Sequence, residues 1–192
     1  MDEKRRGVGI DTSKGYKKAE AVTIPEDIAH ALKQQPNTGQ GRRDALIMCL
    51  LLDHGLRDSE IALLTRQNFE LKRGEFTFYH PKVNRTQTYT MSPDTCRAAA
   101  AYFKRDAPAD GILWRKSNKG TGILGEQLSE RSATWTINQR VELLGRHAGI
   151  EGLSSHDGRQ YAATYEARKG TPLDRLIDMF GWNSPAMAMR YI

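Results

Sequence analysis

The stretch RRDALIMCLLLDHGLRDSEIALL, residues 42–64, decides the fold of this chain. A helix is predicted from Arg42 to His54, and its second half is apolar on most sides, which is typical of a buried helix. Gly55 ends this helix. A second helix is predicted over residues 60–66, with Asp58 or Ser59 as its cap. The core of the domain is therefore expected around the first of these two helices.

The link between the two helices holds a candidate functional arginine. Arg57 lies in a tight turn, and Glu60 follows three residues later, where its carboxylate can orient the guanidinium. The alternative is a plain surface pair between the two side chains, which contributes little to stability. The pattern alone leaves both interpretations open.

Outward from this stretch, the pattern predicts a mainly helical domain with one small antiparallel β-sheet, an α+β fold. Glycine and proline punctuate the elements, and no βαβ unit is evident. Residues 1–22 are charged and lack apolar periodicity, so we expect a flexible tail or linker remnant there and one domain over residues 23–192. Strands are predicted at 69–71, 75–79 and 87–91, a loop region at 106–128, and the other helices at about 25–33, 93–104, 129–146, 155–169, 172–180 and 184–191.

Composition indicates a globular protein, and its charge fits either an anionic partner or a protein that is basic without one. Hydrophobic residues make up 39% of the chain, charged residues 27%, and the net charge is +6. A basic balance is typical of nucleic-acid binding but does not by itself separate DNA from RNA or an anionic membrane. The two cysteines form no CxxC pair, and neither a signal peptide nor a span of about 20 apolar residues is evident. We therefore expect an intracellular protein without a zinc site.

Two segments near the C-terminus carry further candidate residues. His156 and Arg159 are three residues apart at the start of a predicted helix, so they share a face and suit a phosphate or an oxyanion. A solvated arginine beside a helix N-terminus is the plain alternative. Trp182 lies nine residues before Tyr191, which is predicted to project from the helix over 184–191. Core packing is the usual reason for such aromatic residues.

In this order and spacing, the three segments resemble the catalytic domain of the tyrosine recombinases, the phage-type integrases. Residues 55–61 look like the first arginine box of the family, residues 156–164 like the second, and residues 181–191 like the last. The hairpin after Tyr79 matches the place where the family carries a catalytic lysine, and Lys82 is the best match there. Lys72, Arg85 and Lys119 are the other basic residues near this position or in nearby loops, where a phosphate contact is the commoner role.

The resemblance implies DNA cleavage and rejoining through a 3′-phosphotyrosyl intermediate, without metal, cofactor or ATP. It also implies double-stranded DNA as partner, a tetramer on paired DNA sites, and a cytoplasmic, nucleoid-associated protein. It implies that Tyr191 is the nucleophile and Lys82 the general acid. Arg57 and Arg159 would clamp the phosphate, with hydrogen bonds from His156 and Trp182. Glu60 would orient Arg57 or His156.

Two departures from the family pattern bear on the site. Gly158 stands where the family usually has leucine, which predicts looser packing behind Arg159. The sequence stops one residue after Tyr191, so a fragment of a longer protein is expected, monomeric in solution and with Tyr191 mobile or misplaced.

Other functions stay open at this point. A type IB topoisomerase-like enzyme shares the chemistry, and a non-catalytic DNA-binding homologue would share the fold. Two further motifs lack the sequence context that their functions require. GTGILG at residues 120–125 matches the GxGxxG motif of dinucleotide binding, but no βαβ unit surrounds it. Ser154-Ser155-His156 could suggest a serine hydrolase, but the sequence has no GxSxG elbow.

Overall fold

The computed structural model describes residues 22–80, 84–118 and 120–192. The predicted tail, Lys82 and Lys119 lie outside these residues, apart from Val22. The described part is mainly helical, with two small antiparallel sheets. The helices are α1 (Glu26–Lys33), α2 (Gly39–Leu52), α3 (Asp58–Ala62), α4 (Pro93–Arg105), α5 (Glu130–His147), α6 (Ser155–Arg168), α7 (Leu173–Met179) and α8 (Pro185–Ala188). The strands are β1 (Phe69–Glu70), β2 (Glu75–His80), β3 (Arg85–Thr90), β4 (Arg115–Ser117) and β5 (Leu124–Gln127).

Helix α2 is the centre of the core, as its apolar second half predicts. Its residues from Leu46 to Leu52 are at most 1% exposed, and α1, α4, α5 and α6 pack around it. It begins at Gly39, three residues earlier than predicted, because the Thr38 side chain accepts a hydrogen bond from the Gly41 backbone N at 3.0 Å. The buried Asp44 carboxylate forms an ion pair with Arg140 of α5, with 2.6 Å between Asp44 Oδ2 and Arg140 Nη2, and this pair links α5 to α2.

The three-stranded sheet has the order β1-β2-β3 and confirms the predicted small antiparallel sheet. Phe76 pairs with Tyr89 and His80 with Arg85 across β2 and β3. The alternation of β2 turns Phe76, Phe78 and His80 into the core and leaves Tyr79 exposed.

The stretch predicted as a loop region also contains a second hairpin, formed by β4 and β5. Its strands are short and polar, so they lack the β-branched alternation that signals a strand. The Arg115 guanidinium donates to Gly125 O at 2.7 Å and Asn118 N to Ile123 O at 2.9 Å. The GxGxxG run lies at the turn and in β5, so it leads into a strand and does not open a helix.

Two predicted boundaries near the candidate residues are wrong. Helix α3 begins at Asp58, and its cap is Arg57 because the Glu60 carboxylate accepts from the Arg57 backbone N in a capping box. The last helix ends at Ala188, so Tyr191 follows it instead of projecting from it. None of the helices in the described residues is long and apolar enough to cross a membrane.

Candidate active site

A cleft of about 400 Å³ lies where the ends of α3, α6 and α8 meet the side of α5. Five of the seven predicted site residues line it: Arg57, His156, Arg159, Trp182 and Tyr191. Residues more than 130 positions apart in the sequence are thus brought to one concave surface. A sixth, Glu60, lies buried behind the cleft, and Lys82 is outside the described residues.

Arg57 is held by Glu60, which is one of the two interpretations that the sequence leaves open. Its Nη1 donates to Glu60 Oε1 at 2.6 Å, and its backbone N donates to Glu60 Oε2 at 2.8 Å. The Arg57 side chain is 21% exposed, whereas that of Glu60 is 1% exposed. The pair is therefore not a surface ion pair: one carboxylate holds both ends of the arginine and leaves the guanidinium at the wall of the cleft.

The Glu60 carboxylate is ionised in spite of its burial. Burial alone would raise its pKa, but hydrogen bonds from His80 and from the Arg57 backbone, together with the Arg57 charge, lower the pKa to about 2. Arg159 Nη1 lies 4.0 Å from Glu60 Oε2 and adds a second cation. The hydrogen bonds of Glu60 within the described part of the chain come from Arg57 and involve His80, so they support the orientation of Arg57 and not of His156.

Arg159 is the most buried cation at the cleft, at 8% exposure. Its two terminal nitrogens donate to the backbone carbonyls of Gly55 and Phe180, and its guanidinium lies 5.3 Å from the centre of the Phe180 ring. Burial, and then the nearby charge of Arg57, lower the pKa of Arg159 to about 10, so it remains a cation at neutral pH. Gly55 is required for this contact: its φ is +61°, and an added Cβ would lie 2.4 Å from the Phe180 ring.

His156 and Arg159 both reach the cleft from the first turns of α6. Ser154 and Asp157 form the capping box of this helix, with Ser154 Oγ donating to the Asp157 carboxylate at 2.6 Å. His156 is exposed on the cleft side. Gly158 is buried where α6 faces α2, and a Cβ there would lie 3.4 Å from Leu51 Cβ, an ordinary contact distance. Looser packing behind Arg159 stays a prediction.

Tyr191 lies flat against Trp182 at the edge of the cleft. The centres of the two rings are 5.2 Å apart and the rings are inclined by only 3°, and Phe180 also stacks on Trp182, with 4.9 Å between ring centres. The Tyr191 backbone N donates to Ala188 O at 3.0 Å. The sequence predicts a mobile or misplaced Tyr191. In the structure the residue lines the cleft, even though it lies beyond the last helix.

The structure adds residues that motif analysis missed. Asn138 of α5 lines the cleft, donates to the Asp58 carboxylate and accepts from Ser155 Oγ at 2.7 Å. His80 contacts Glu60 from behind the cleft. No sequence motif marks Asn138, whereas the alternation of β2 places His80 on the buried face. Of the other basic residues, Lys72 is exposed near β1, and Arg85 pairs with Asp178 at 3.0 Å.

The cations at the cleft suit an anionic group. Arg57 and Arg159 contribute two positive charges, the buried Glu60 lies behind them, and Asp58, which also lines the cleft, accepts a hydrogen bond from Asn138. Guanidinium groups donate in a planar fork that matches the oxygens of a phosphate. No cluster of three or more potential metal ligands occurs among the described residues. The Tyr191 phenol, which lines the same cleft, belongs to the class of nucleophiles that attack phosphate esters.

Comparison with known proteins identifies the family of the chain. The model of the phage integrase family matches residues 10–192. The integrase of Salmonella phage P22 is 27% identical over 143 residues, covering 73% of this chain and 36% of that protein. Tyrosine recombinase XerA of Pyrococcus furiosus is 27% identical over 152 residues, covering 78% of this chain and 49% of the relative.

Solved structures share the fold. A crystal structure of XerA recombinase superposes with a TM-score of 0.69 at 21% identity, over 91% of this chain and 61% of the other. The catalytic domain of bacteriophage HP1 integrase superposes with a TM-score of 0.58 at 20% identity, over 90% and 87% of the two chains. The chain spans about a third to a half of the length of the curated relatives it matches. Its family match covers nearly all of its residues, and the chain belongs to the phage integrase family.

Proposed function

We propose that residues 23–192 form the catalytic domain of a site-specific DNA recombinase, an integrase that cleaves and rejoins DNA through a 3′-phosphotyrosyl intermediate. The observation that carries this proposal is the cleft itself, in which Tyr191 lines the same concave surface as the guanidinium groups of Arg57 and Arg159. A phosphodiester of DNA is an anion and presents two non-bridging oxygens. The two guanidinium donors of the cleft therefore fit this substrate.

The two guanidinium groups provide the electrostatic part of catalysis. Arg57 and Arg159 donate to the non-bridging oxygens, and His156 and Trp182 Nε1 add hydrogen bonds as negative charge develops in the transition state. Because these donors are held by Glu60 and by backbone carbonyls, little reorganisation is required when the phosphate binds. Cations of this kind supply the charge stabilisation that a metal ion provides in other phosphoryl-transfer enzymes, so we expect no metal, cofactor or ATP requirement.

The covalent step conserves the phosphodiester energy. The Tyr191 oxygen attacks the phosphorus, the bond to the 5′-oxygen breaks, and the 3′-phosphate stays on the enzyme. His156 accepts the phenol proton, and Lys82 gives a proton to the leaving 5′-oxygen. A 5′-hydroxyl from another strand then attacks the phosphotyrosine and releases Tyr191, which completes strand exchange.

Related proteins support double-stranded DNA as the partner. Solved structures with the same fold include the Tn1549 transposon integrase in complex with a circular intermediate DNA and XerH recombinase bound to its difH substrate. We propose that this protein acts on the same class of substrate, in the cytoplasm at the nucleoid, as a tetramer on paired sites. The isolated chain is expected to be a monomer.

The decisive experiment is covalent trapping. The protein is incubated with supercoiled plasmid and with nicked duplexes in the presence of a chelator, denatured in detergent, and examined for a protein–DNA adduct. We expect an adduct that Tyr191→Phe abolishes without loss of DNA binding. DNA binding without an adduct, also in a longer protein, would support the non-catalytic homologue instead. Plasmid relaxation without strand exchange between two sites would favour the topoisomerase-like function.

A further inference from the structure

We propose that His80 is a positioning residue for DNA cleavage: it holds the Glu60 carboxylate in the orientation that fixes Arg57. The proposal rests on the function proposed above. It concerns a side chain outside the three motif segments and behind the cleft, so His80 acts through Glu60 and does not touch DNA.

The geometry of the Glu60 carboxylate carries the argument. His80 Nδ1 lies 3.0 Å from Glu60 Oε1, the same oxygen that receives Arg57 Nη1 at 2.6 Å. An ionised carboxylate only accepts hydrogen bonds, so Nδ1 must be the donor. The side chains of His80 and Glu60 are each 1% exposed, which leaves little room for water to replace a lost donor.

The other side of the imidazole is also held. Nε2 lies 3.3 Å from the oxygen of the Tyr89 hydroxyl, whose one proton goes to Met179 O at the end of α7, so the ring and the hydroxyl touch here without sharing that proton. The ring also packs on Phe78 with 4.3 Å between ring centres. One buried ring therefore joins the end of β2 to Glu60, and through Tyr89 it joins the segment that leads from α7 to the cleft. His80 is also two residues before Lys82 in the sequence, so it anchors the strand that leads to the proposed general acid.

Removal of this donor should misplace Arg57. With His80 replaced by phenylalanine, Glu60 Oε1 keeps only Arg57 Nη1 as its partner, and the Arg57 backbone N on Oε2 becomes the main restraint on rotation of the carboxylate about its terminal bond. A misplacement of about 1 Å at a reacting centre costs roughly 100-fold in rate. We expect adduct formation by His80→Phe to be at least about tenfold slower, with DNA affinity nearly unchanged because the phosphate-facing groups remain.

Two further variants separate positioning from plain stability. His80→Asn should restore most of the rate, since its amide nitrogen stands near the position of Nδ1 and can donate to Glu60. His54→Phe is the matched control, because His54 is also buried, at 6% exposure, and is hydrogen-bonded at 3.0 Å to Thr95 instead of Glu60. We expect it to lower the melting temperature and leave the rate of adduct formation unchanged.

The experiment measures single-turnover adduct formation on a nicked duplex with protein in excess, together with the melting temperature and Kd of each variant. Unchanged cleavage by His80→Phe would overturn the proposal, as would equal losses in His80→Phe and His80→Asn or in His80→Phe and His54→Phe. Absence of an adduct with the wild-type protein would instead refute the proposed recombinase function. In that event the imidazole ¹⁵N NMR spectrum tests the contact between His80 and Glu60 directly. We expect a protonated Nδ1 whose signal changes in Glu60→Gln, and an unprotonated Nδ1 would overturn the proposed contact.

Discussion

Glu60→Gln is the substitution whose effect on stability can be worked out from the structure. The glutamine keeps the size of the side chain but removes the charge that lies between Arg57 and Arg159. The wild-type carboxylate is 1% exposed and has a pKa of about 2 in the folded protein, against 4.5 for a free glutamate side chain. Glu60 therefore prefers to be ionised in the folded state, and this preference is a contribution to stability that depends on pH.

The sign and the size follow from this difference in pKa. Because the pKa is lowered on folding, the contribution is fully present above the unfolded pKa and is lost as the pH falls through the folded one. At about 1.4 kcal/mol for each pKa unit, the shift corresponds to about 3 kcal/mol. The free energy of unfolding of the wild-type protein should thus exceed that of Glu60→Gln near neutral pH, and the gap should shrink by about 3 kcal/mol between pH 5 and pH 2.

Urea unfolding of both proteins, followed by tryptophan fluorescence at intervals from pH 7 to pH 2, measures this gap. The other carboxylates are protonated in both proteins over the same range, so their effects cancel in the difference. A gap that stays constant from pH 5 to pH 2 would refute the reasoning, because it would mean that the Glu60 carboxylate is not stabilised by its neighbours in the folded state.

Three other predictions concern the turn, the clamp and the DNA. Gly55→Ala should lower the free energy of unfolding by at least about 2 kcal/mol, because it combines a positive φ with a contact of 2.4 Å to Phe180. Gly74→Ala, where φ is also positive but the space is open, should lower it by only about 1 kcal/mol. Equal losses of stability in thermal unfolding would contradict this. Arg159→Lys should slow adduct formation at least about 100-fold, since an ammonium cannot reach two carbonyls and a phosphate with fork geometry, and wild-type rates would show that the fork is unnecessary. DNA affinity should fall at least about tenfold between roughly 50 and 200 mM salt, as expected for two or more phosphate contacts, and salt-independent binding in a titration would exclude them.

Sequence patterning predicts the elements that have strong periodicity. The buried helix α2 and the three-stranded sheet were identifiable because apolar runs and β-alternation reflect burial directly. The β4–β5 hairpin was not, because its polar strands are held by local hydrogen bonds from Arg115 and Asn118. The end of the last helix was also missed: nothing in the sequence between residues 185 and 191 signals that the helix stops at Ala188.

The site is predicted well where residues are joined by short sequence spacing and poorly where tertiary contacts decide. The pairing of Arg57 with Glu60 follows from their separation of three residues around a helix start. The contact of His80 with Glu60 depends on how β2 crosses behind α3, which sequence spacing does not encode. Asn138 reaches the cleft only because α5 is held against α2 and α3.

Arg159 links the three motif segments in a way that constrains how any variant of it is interpreted. One guanidinium donates to Gly55 O in the first segment and to Phe180 O just before the third, while α6 of the second segment carries it. Phe180 in turn stacks on Trp182, and Trp182 on Tyr191, so the position of the nucleophile depends on the same contacts. Loss of Arg159 should therefore remove charge from the phosphate and also release Tyr191. For this reason a slow Arg159 variant does not by itself measure the value of the charge, whereas a variant of Arg57, which contacts Glu60 and leaves the aromatic stack intact, isolates it.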